Sequence, residues 1–193
     1  MGSAEQFFVF SSLSVAMLTY VFLIKGLFKE VEQSFATWFL WALLDLIAAL
    51  SMLFKGGNYQ LALFYTFFGA LITSILLYKK QFSWTWLETV ISALVVVCLI
   101  IWSVSGDRAA TVASSTAMAI ATIPQLVAAW KKPETAGSPY IWGGYTVANI
   151  LSFLGGKSWT IEERFYPMVC IGLCVALTVL TCRKSHPALV SAK

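Results

Sequence analysis

The stretch FATWFLWALLDLIAALSMLF, Phe35–Phe54, runs for twenty residues with one charged side chain, Asp45. Wound as an α-helix it would be about 30 Å long, the thickness of a bilayer's hydrocarbon core. Working outward from it, six further apolar runs have similar length: Phe7–Phe28, Tyr59–Tyr78, Trp84–Val104, Ala109–Trp130, Pro139–Gly156 and Phe165–Cys182. The breaks between them are polar, charged or glycine-bearing, such as Lys55-Gly56-Gly57-Asn58 and Ser105-Gly106-Asp107-Arg108. The fifth run is rich in Ala, Ser and Thr. Small residues of that kind expect close helix neighbours rather than lipid on every side.

Composition agrees with this reading. Of the 193 residues 59% are apolar and 11% charged, and mean hydropathy is +0.80. Soluble domains carry roughly a quarter charged residues, so a soluble globular enzyme and a disordered chain are both excluded. Seven spans with short connections account for nearly the whole length. The opening Met1-Gly-Ser-Ala-Glu-Gln lacks a basic region, so the first run is read as a retained helix and not a cleaved signal peptide.

The net charge of +4 belongs to short loops. No basic groove with interleaved aromatics is present, so nucleic acid is not expected as a partner. Lys25, Lys29, Lys79, Lys80, Lys131, Lys132, Arg183, Lys184 and Lys193 fall on one side of the predicted topology; Lys55, Arg108, Lys157 and Arg164 fall on the other. The positive-inside rule then puts the N-terminus outside and the C-terminus in the cytoplasm. Trp84, Trp86 and Trp130 at one boundary, and Trp102 and Trp159 at the other, suit an interfacial belt. Little of the chain lies outside the spans, and the tail shows no lysosomal sorting signal. A bacterial inner membrane is expected ahead of a eukaryotic organelle.

The four cysteines, Cys98, Cys170, Cys174 and Cys182, sit in apolar runs without a CxxC pair, and His186 is the single histidine. Neither a metal site nor a disulfide framework is expected. No nucleophile–base pair and no phosphate loop is present, so no enzyme activity and no cofactor are expected. Glu162 and Glu163 precede the seventh run and read as a solvated loop. Glu88, close to the start of its span, reads as interfacial.

Seven spans divide as three, one and three. A shift of 104 residues carries Ser11 onto Ser115, Glu30 onto Glu134, Ser34 onto Ser138, Trp38 onto Trp142, Trp41 onto Tyr145 and Asp45 onto Asn149. A rival shift of 101 pairs Trp41 with Trp142 and Ser51 with Ser152. The two differ by about one helical turn, so both match the same face. Copies that begin four spans apart are parallel, a known transporter plan. The fold expected is all-α and integral to the membrane. It has a first three-helix bundle over 1–80, a linker helix over 81–106, a second bundle over 107–184, and a tail over 185–193.

The fifth run ends Ile123-Pro124-Gln125-Leu126, followed by Lys131-Lys132-Pro133-Glu134-Thr135-Ala136-Gly137-Ser138. This resembles the PQ-loop signature, in which a Pro-Gln pair near a helix end precedes a basic turn and a Gly-Ser step into the next helix. The resemblance is to the PQ-loop, SWEET-like transporter superfamily. It implies a carrier with the 3+1+3 arrangement, N-terminus out and C-terminus in. The first repeat carries Tyr20-Val21 where its own Pro-Gln pair would stand, so the two halves are expected to move unequally. A proline inside a helix removes a hydrogen bond and crowds the carbonyl four residues back. Pro124 and Gln125 are therefore candidate hinge residues, with Gln125 or Thr122 expected to satisfy the freed carbonyl.

Asp45 lies near the middle of its span. An ionisable group there costs about 2.5–3.5 kcal/mol on insertion scales. It must face a cavity, find a partner or take up a proton, which makes it the candidate proton-coupling group. Trp38, Trp41 and Asp45 share one helix face, and Trp142, Tyr145 and Asn149 repeat that spacing, with Ser152 one turn on. These seven residues are the candidate substrate site. Aromatic rings would supply flat apolar walls, and Asp45 and Asn149 would fix polar groups. The function expected is a carrier moving a small polar organic solute (sugar, amino acid or vitamin-like) by alternating access. The alternative is a seven-helix receptor or scaffold that binds a ligand without transporting it. The expected partners are that solute and the lipid bilayer, and a homo-oligomer is left open.

Overall fold

The computed structural model describes residues 2–28, 33–80, 86–134 and 136–183, together with the backbone but not the side chains of Leu87 and Glu88. Lys29, Glu30, Trp84, Thr135, Lys184, His186, Lys193 and the 185–193 tail lie outside the described residues, as does the side chain of Glu88. Among the described residues the chain is all-helical: α1 (Ser3–Leu27), α2 (Phe35–Phe54), α3 (Gln60–Tyr78), α4 (Trp86–Ala121), α5 (Ile123–Lys131), α6 (Pro139–Leu154) and α7 (Ile161–Thr181). Five helical stretches are long and apolar enough to cross a membrane: Ser3–Leu27, Phe35–Phe54, Gln60–Tyr78, Thr89–Lys131 and Ile161–Thr181. The fold is compatible with a helical integral membrane protein.

Its surface supports that reading. Phe7, Phe10, Phe22, Phe67 and Val104 point outward, whereas Ser12, Thr111, Ser114, Ser115 and Asn149 are buried. A contiguous apolar exterior around small and polar interior residues fits a solvent of lipid tails.

Local signals start the helices where the sequence places them. Ser34 caps α2, its hydroxyl accepting from Thr37 N at 3.3 Å, and Ser138 caps α6 by accepting from Tyr140 N at 3.3 Å. Such caps satisfy backbone donors that a helix start would otherwise leave open. Pro139 follows at the first helical position, where its missing N–H costs nothing. The side chain of Lys79 closes the end of α1 by donating to the Leu27 carbonyl.

The fourth and fifth runs are joined with almost no connection. α4 is two helical stretches that meet inside the predicted break at 105–108, at the non-helical Gly106 (φ 79°, ψ −178°). An unbroken helix of that length would run about 54 Å, well beyond a hydrocarbon core. The break lies against the C-terminal end of α2. There Lys55 pairs with Asp107 at 3.7 Å, and the rings of Phe54 and Trp102 lie 6.0 Å apart. Trp102 also donates its indole N–H to Asp107 at 2.8 Å. The half of α4 after Gly106 is the small-residue stretch, and Ala110, Thr111, Ser114, Ser115, Ala117 and Ala121 are all buried as expected.

The chain passes Pro124 without the predicted repair. Thr122 interrupts the helix for one residue while staying in the right-handed region (φ −83°, ψ −15°), and α5 resumes with the proline in its first turn. The Thr122 hydroxyl donates to Met118 O at 2.8 Å, and Gln125 donates to Ala136 O at 3.2 Å. Neither serves the carbonyl four residues before the proline, because both side chains are drawn to other acceptors.

Packing follows a paired scheme. α2 packs on α3, and α6 packs on α7. On its other side α6 receives α1, and α2 receives α4. Ser12 Oγ donates to Ala148 O at 2.8 Å across α1 and α6, and Ser51 Oγ lies 2.9 Å from Thr111 Oγ1 across α2 and α4. Gly144 allows the first approach: a Cβ there would meet Thr19 Oγ1 at 2.3 Å.

Gly106 and Gly172 make a matched test. Gly106 occupies a backbone region that is essentially glycine's own, whereas Gly172 is helical with open space around it. Gly106→Ala is expected to destabilise by about 1–3 kcal/mol. Gly172→Ala should be neutral or stabilising by up to about 1 kcal/mol. Melting temperatures in one detergent check both.

Candidate functional site

The aromatic–polar faces of α2 and α6 meet inside the molecule. Trp38, Trp41 and Asp45 from α2 and Trp142, Tyr145 and Asn149 from α6 line one cavity of about 70 Å³. All six are buried, with Asn149 fully so. α1 adds Tyr20, α3 adds Tyr65 and Gly69, and α4 adds Met118, with Thr122 just beyond its end. The remaining wall is α7, through Tyr166, Cys170, Leu173, Cys174 and Leu177. One water needs about 10–15 Å³, and sites for drug-sized ligands run to several hundred. At this size the cavity has room for a few waters, and a larger solute would require it to widen.

Ring contacts make the walls nearly continuous. Tyr20 stacks on Phe68 at 4.7 Å and meets Tyr145 edge-on at 5.1 Å. Trp38 meets Trp41 at 5.2 Å, and Trp142 meets Tyr145 at 6.0 Å. Offset and edge-on pairs of this kind add to the stability given by burial alone.

Three hydrogen bonds hold the polar groups. Tyr166 OH donates to Asp45 Oδ1 at 2.6 Å. Asn149 Nδ2 donates to Tyr65 OH at 3.0 Å and to its own helix at Tyr145 O, 2.8 Å away. Asn149 Oδ1 and Trp41 Nε1 are buried without a hydrogen-bond partner. Orphaned polar atoms of this kind are rare in folded proteins, and both belong to residues that line the cavity.

The two tryptophans nearest the helix starts are anchored alike. Trp38 donates its indole N–H to Gln33 Oε1 at 2.8 Å, and Trp142 donates to Ala136 O at 3.2 Å. Ala136 O also accepts from Gln125, so the Pro-Gln segment, the following loop and the cavity wall share one carbonyl. The cap serines and these tryptophans keep the 104-residue spacing. The starts of α3 and α7, at Gln60 and Ile161, keep 101. The two shifts seen in the sequence therefore apply to different parts of the chain, and the shorter α6 absorbs the difference.

Ser152 is the exception among the candidate site residues. It does not line the cavity but lies beneath the α2–α3 loop, where Asn58 Nδ2 donates to Ser152 O at 2.7 Å and to its hydroxyl at 3.2 Å. Helical periodicity put it on the right face, but the site ends one turn earlier because Asn58 covers it. Pro124 and Gln125 lie behind the wall and not on it.

The reading of Glu162 and Glu163 as a solvated loop is corrected. Both are buried in the first turn of α7, where negative charge suits the helix start. Glu162 accepts from Arg108 at 2.6 Å, and Glu163 accepts from Lys157 N at 3.1 Å. The α2–α3 loop presses on them: a Cβ at Gly57 would come within 2.4 Å of Glu162 O. Arg164 ties the same end together by donating to Phe153 O and Gly156 O at 2.5 and 2.9 Å.

Sequence reasoning missed Tyr65 and Tyr166, and it gave Cys170 and Cys174 only a packing role. The cysteines share a face with Tyr166 at helical spacing, a signal that was readable, but apolar neighbours hid its significance. No protein-family model, curated protein or solved structure matches the chain.

Asn58→Ala leaves the Ser152 carbonyl without its donor and is expected to cost about 1–3 kcal/mol. Ser152→Ala keeps the 2.7 Å bond to that carbonyl and should cost clearly less. Thermal unfolding of the two variants side by side reads the difference.

Proposed function

We propose that this protein is a membrane carrier that moves a small polar organic solute through the central cavity by alternating access. In this reading the two halves of α4 on either side of Gly106 cross the membrane separately, which makes seven spans in a 3+1+3 arrangement. The bundles are 1–80 and 107–184, and the segment 81–106 links them. The N-terminus lies outside, and a bacterial inner membrane is the expected location. The chain is taken as a PQ-loop, SWEET-like carrier, with Pro124 and Gln125 as the hinge of its second bundle.

One observation carries the proposal. A cavity lies where α2 and α6 face each other; Asp45, Asn149 and Trp41 line it, and the last two each carry a buried polar atom without a hydrogen-bond partner. Such a set of directional polar groups inside aromatic walls is how a transporter would hold a solute near the membrane's midplane. The packing scheme supports the repeat, since α1 on α6 and α4 on α2 are the equivalent contacts under exchange of the two bundles. Asp45 is the group through which transport would couple to protons, as buried carboxylates do in other carriers. No covalent chemistry and no cofactor enter this reading.

A thermal-shift screen of the purified protein tests it. The panel holds sugars, amino acids and vitamin precursors, each at pH 5.5 and 7.5, with Asp45→Asn alongside. A ligand that binds the native state at one hundred times its dissociation constant stabilises by about 2.7 kcal/mol. The expected result is a stabilising hit whose size depends on pH in the parent and not in Asp45→Asn, followed by flux in proteoliposomes. Binding without flux would instead identify a receptor. A panel with no hit, with Asp45→Asn as stable as the parent, would remove the site.

A further inference from the structure

The two polar arms of the cavity are held by a reciprocal pair of bonds. Asp45 on α2 accepts from Tyr166 on α7, and Asn149 on α6 donates to Tyr65 on α3. The partners are related by the spacings that relate the two halves: 104 residues from Asp45 to Asn149, and 101 from Tyr65 to Tyr166. Exchanging the halves turns one bond into the other. Each bond therefore joins a helix of 1–80 to a helix of 107–184, and each ends on a group facing the cavity.

We infer that Tyr65 and Tyr166 are positioning residues that latch the two bundles together around the cavity, and that an entering solute takes over their partners, Asp45 and Asn149. The inference rests on the carrier reading for the word solute. The latch itself rests on geometry. Other bonds also cross between the halves, as Ser12 to Ala148 and Ser51 to Thr111 do, but none of those four residues lines the cavity. Something that occupies the cavity would break the tyrosine bonds to Asp45 and Asn149; Tyr20 and Tyr145 also meet there across the halves, their rings 5.1 Å apart. The small volume gives the reason: with both hydroxyls in place there is room for a few waters. Widening the cavity means parting α7 from α2 and α3 from α6. Pro167, the residue after Tyr166, leaves α7 one backbone hydrogen bond short at that level, which eases local bending.

Cys170 and Cys174 line the same cavity and report its opening without any ligand. The test uses the full chain with Cys98→Ala and Cys182→Ser, so that these are its remaining thiols. A charged, membrane-impermeant methanethiosulfonate is applied to proteoliposomes from one side and then from the other. Labelling rates are taken at a fixed interval below each variant's melting temperature. Tyr65→Phe and Tyr166→Phe should each raise the rate about two- to tenfold, the range expected for one net hydrogen bond, and the double variant should multiply the two effects. Asn149→Leu should match Tyr65→Phe, and combining these two should add nothing further, since both break the same bond. Ser12→Ala breaks a bond between the halves away from the cavity and should leave the rate within twofold of the parent.

Unchanged rates in the double tyrosine variant would overturn the latch. So would an equal rise in Ser12→Ala, which would mean general loosening. Sidedness separates this result from the carrier reading. Labelling from one side only, in every variant, would sink alternating access while leaving the latch to be judged on the rate ratios.

Discussion

A carboxyl group can occupy the middle of α2 only because the fold gives it somewhere to go. Tyr166 donates to Asp45 at 2.6 Å, and the rest of the interior is arranged so that α7 can bring that hydroxyl there. α7 starts early, inside a turn closed by Glu162 and Glu163, and its buried face then runs through Tyr166, Cys170 and Leu177 along the cavity. Without such a partner a buried polar group is costly, and in apolar surroundings the penalty grows. The same constraint acts on Asn149, which spends both amide hydrogens on Tyr65 and its own helix, while its oxygen is buried without a partner.

Around that centre side-chain bonds hold both ends of α2 and α6 in place. At their N-terminal ends the indoles of Trp38 and Trp142 are pinned to the preceding loops, and at Ala136 the glutamine of the Pro-Gln segment is pinned with them. At their C-terminal ends Asn58 covers Ser152, and Glu162 holds Arg108. The Arg108–Glu162 pair is unevenly placed, with Arg108 65% exposed and Glu162 8%. The buried carboxylate therefore gains more from the contact than the solvated guanidinium does.

Much of this was legible in one dimension because helical membrane proteins obey simple rules. Span length follows bilayer thickness, and the caps at Ser34 and Ser138 mark where α2 and α6 begin. Trp38, Trp41 and Asp45 share a face by helical periodicity alone, as do Trp142, Tyr145 and Asn149. What failed were readings that assumed each residue's environment from its neighbours in sequence. Glu162 and Glu163 looked solvated because they precede an apolar run; a loop more than a hundred residues earlier in the chain packs on Glu162, and Glu163 turns back onto Lys157 N. Ser152 looked like part of the site because it follows Asn149 on the helix, and the same loop takes it away.

The sequence by itself determined the all-helical, apolar character of the chain, the starts of α2 and α6 and the two aromatic–polar faces. Those depend on composition and on contacts a few residues apart. Only the tertiary structure decided that the two faces meet in one cavity, that Tyr166 and Tyr65 answer Asp45 and Asn149, and that Gly106 alone breaks α4. Each depends on bringing together groups 84 to 121 residues apart or on one backbone angle. A tyrosine in an apolar run looks like any other packing residue until the helix opposite it is known.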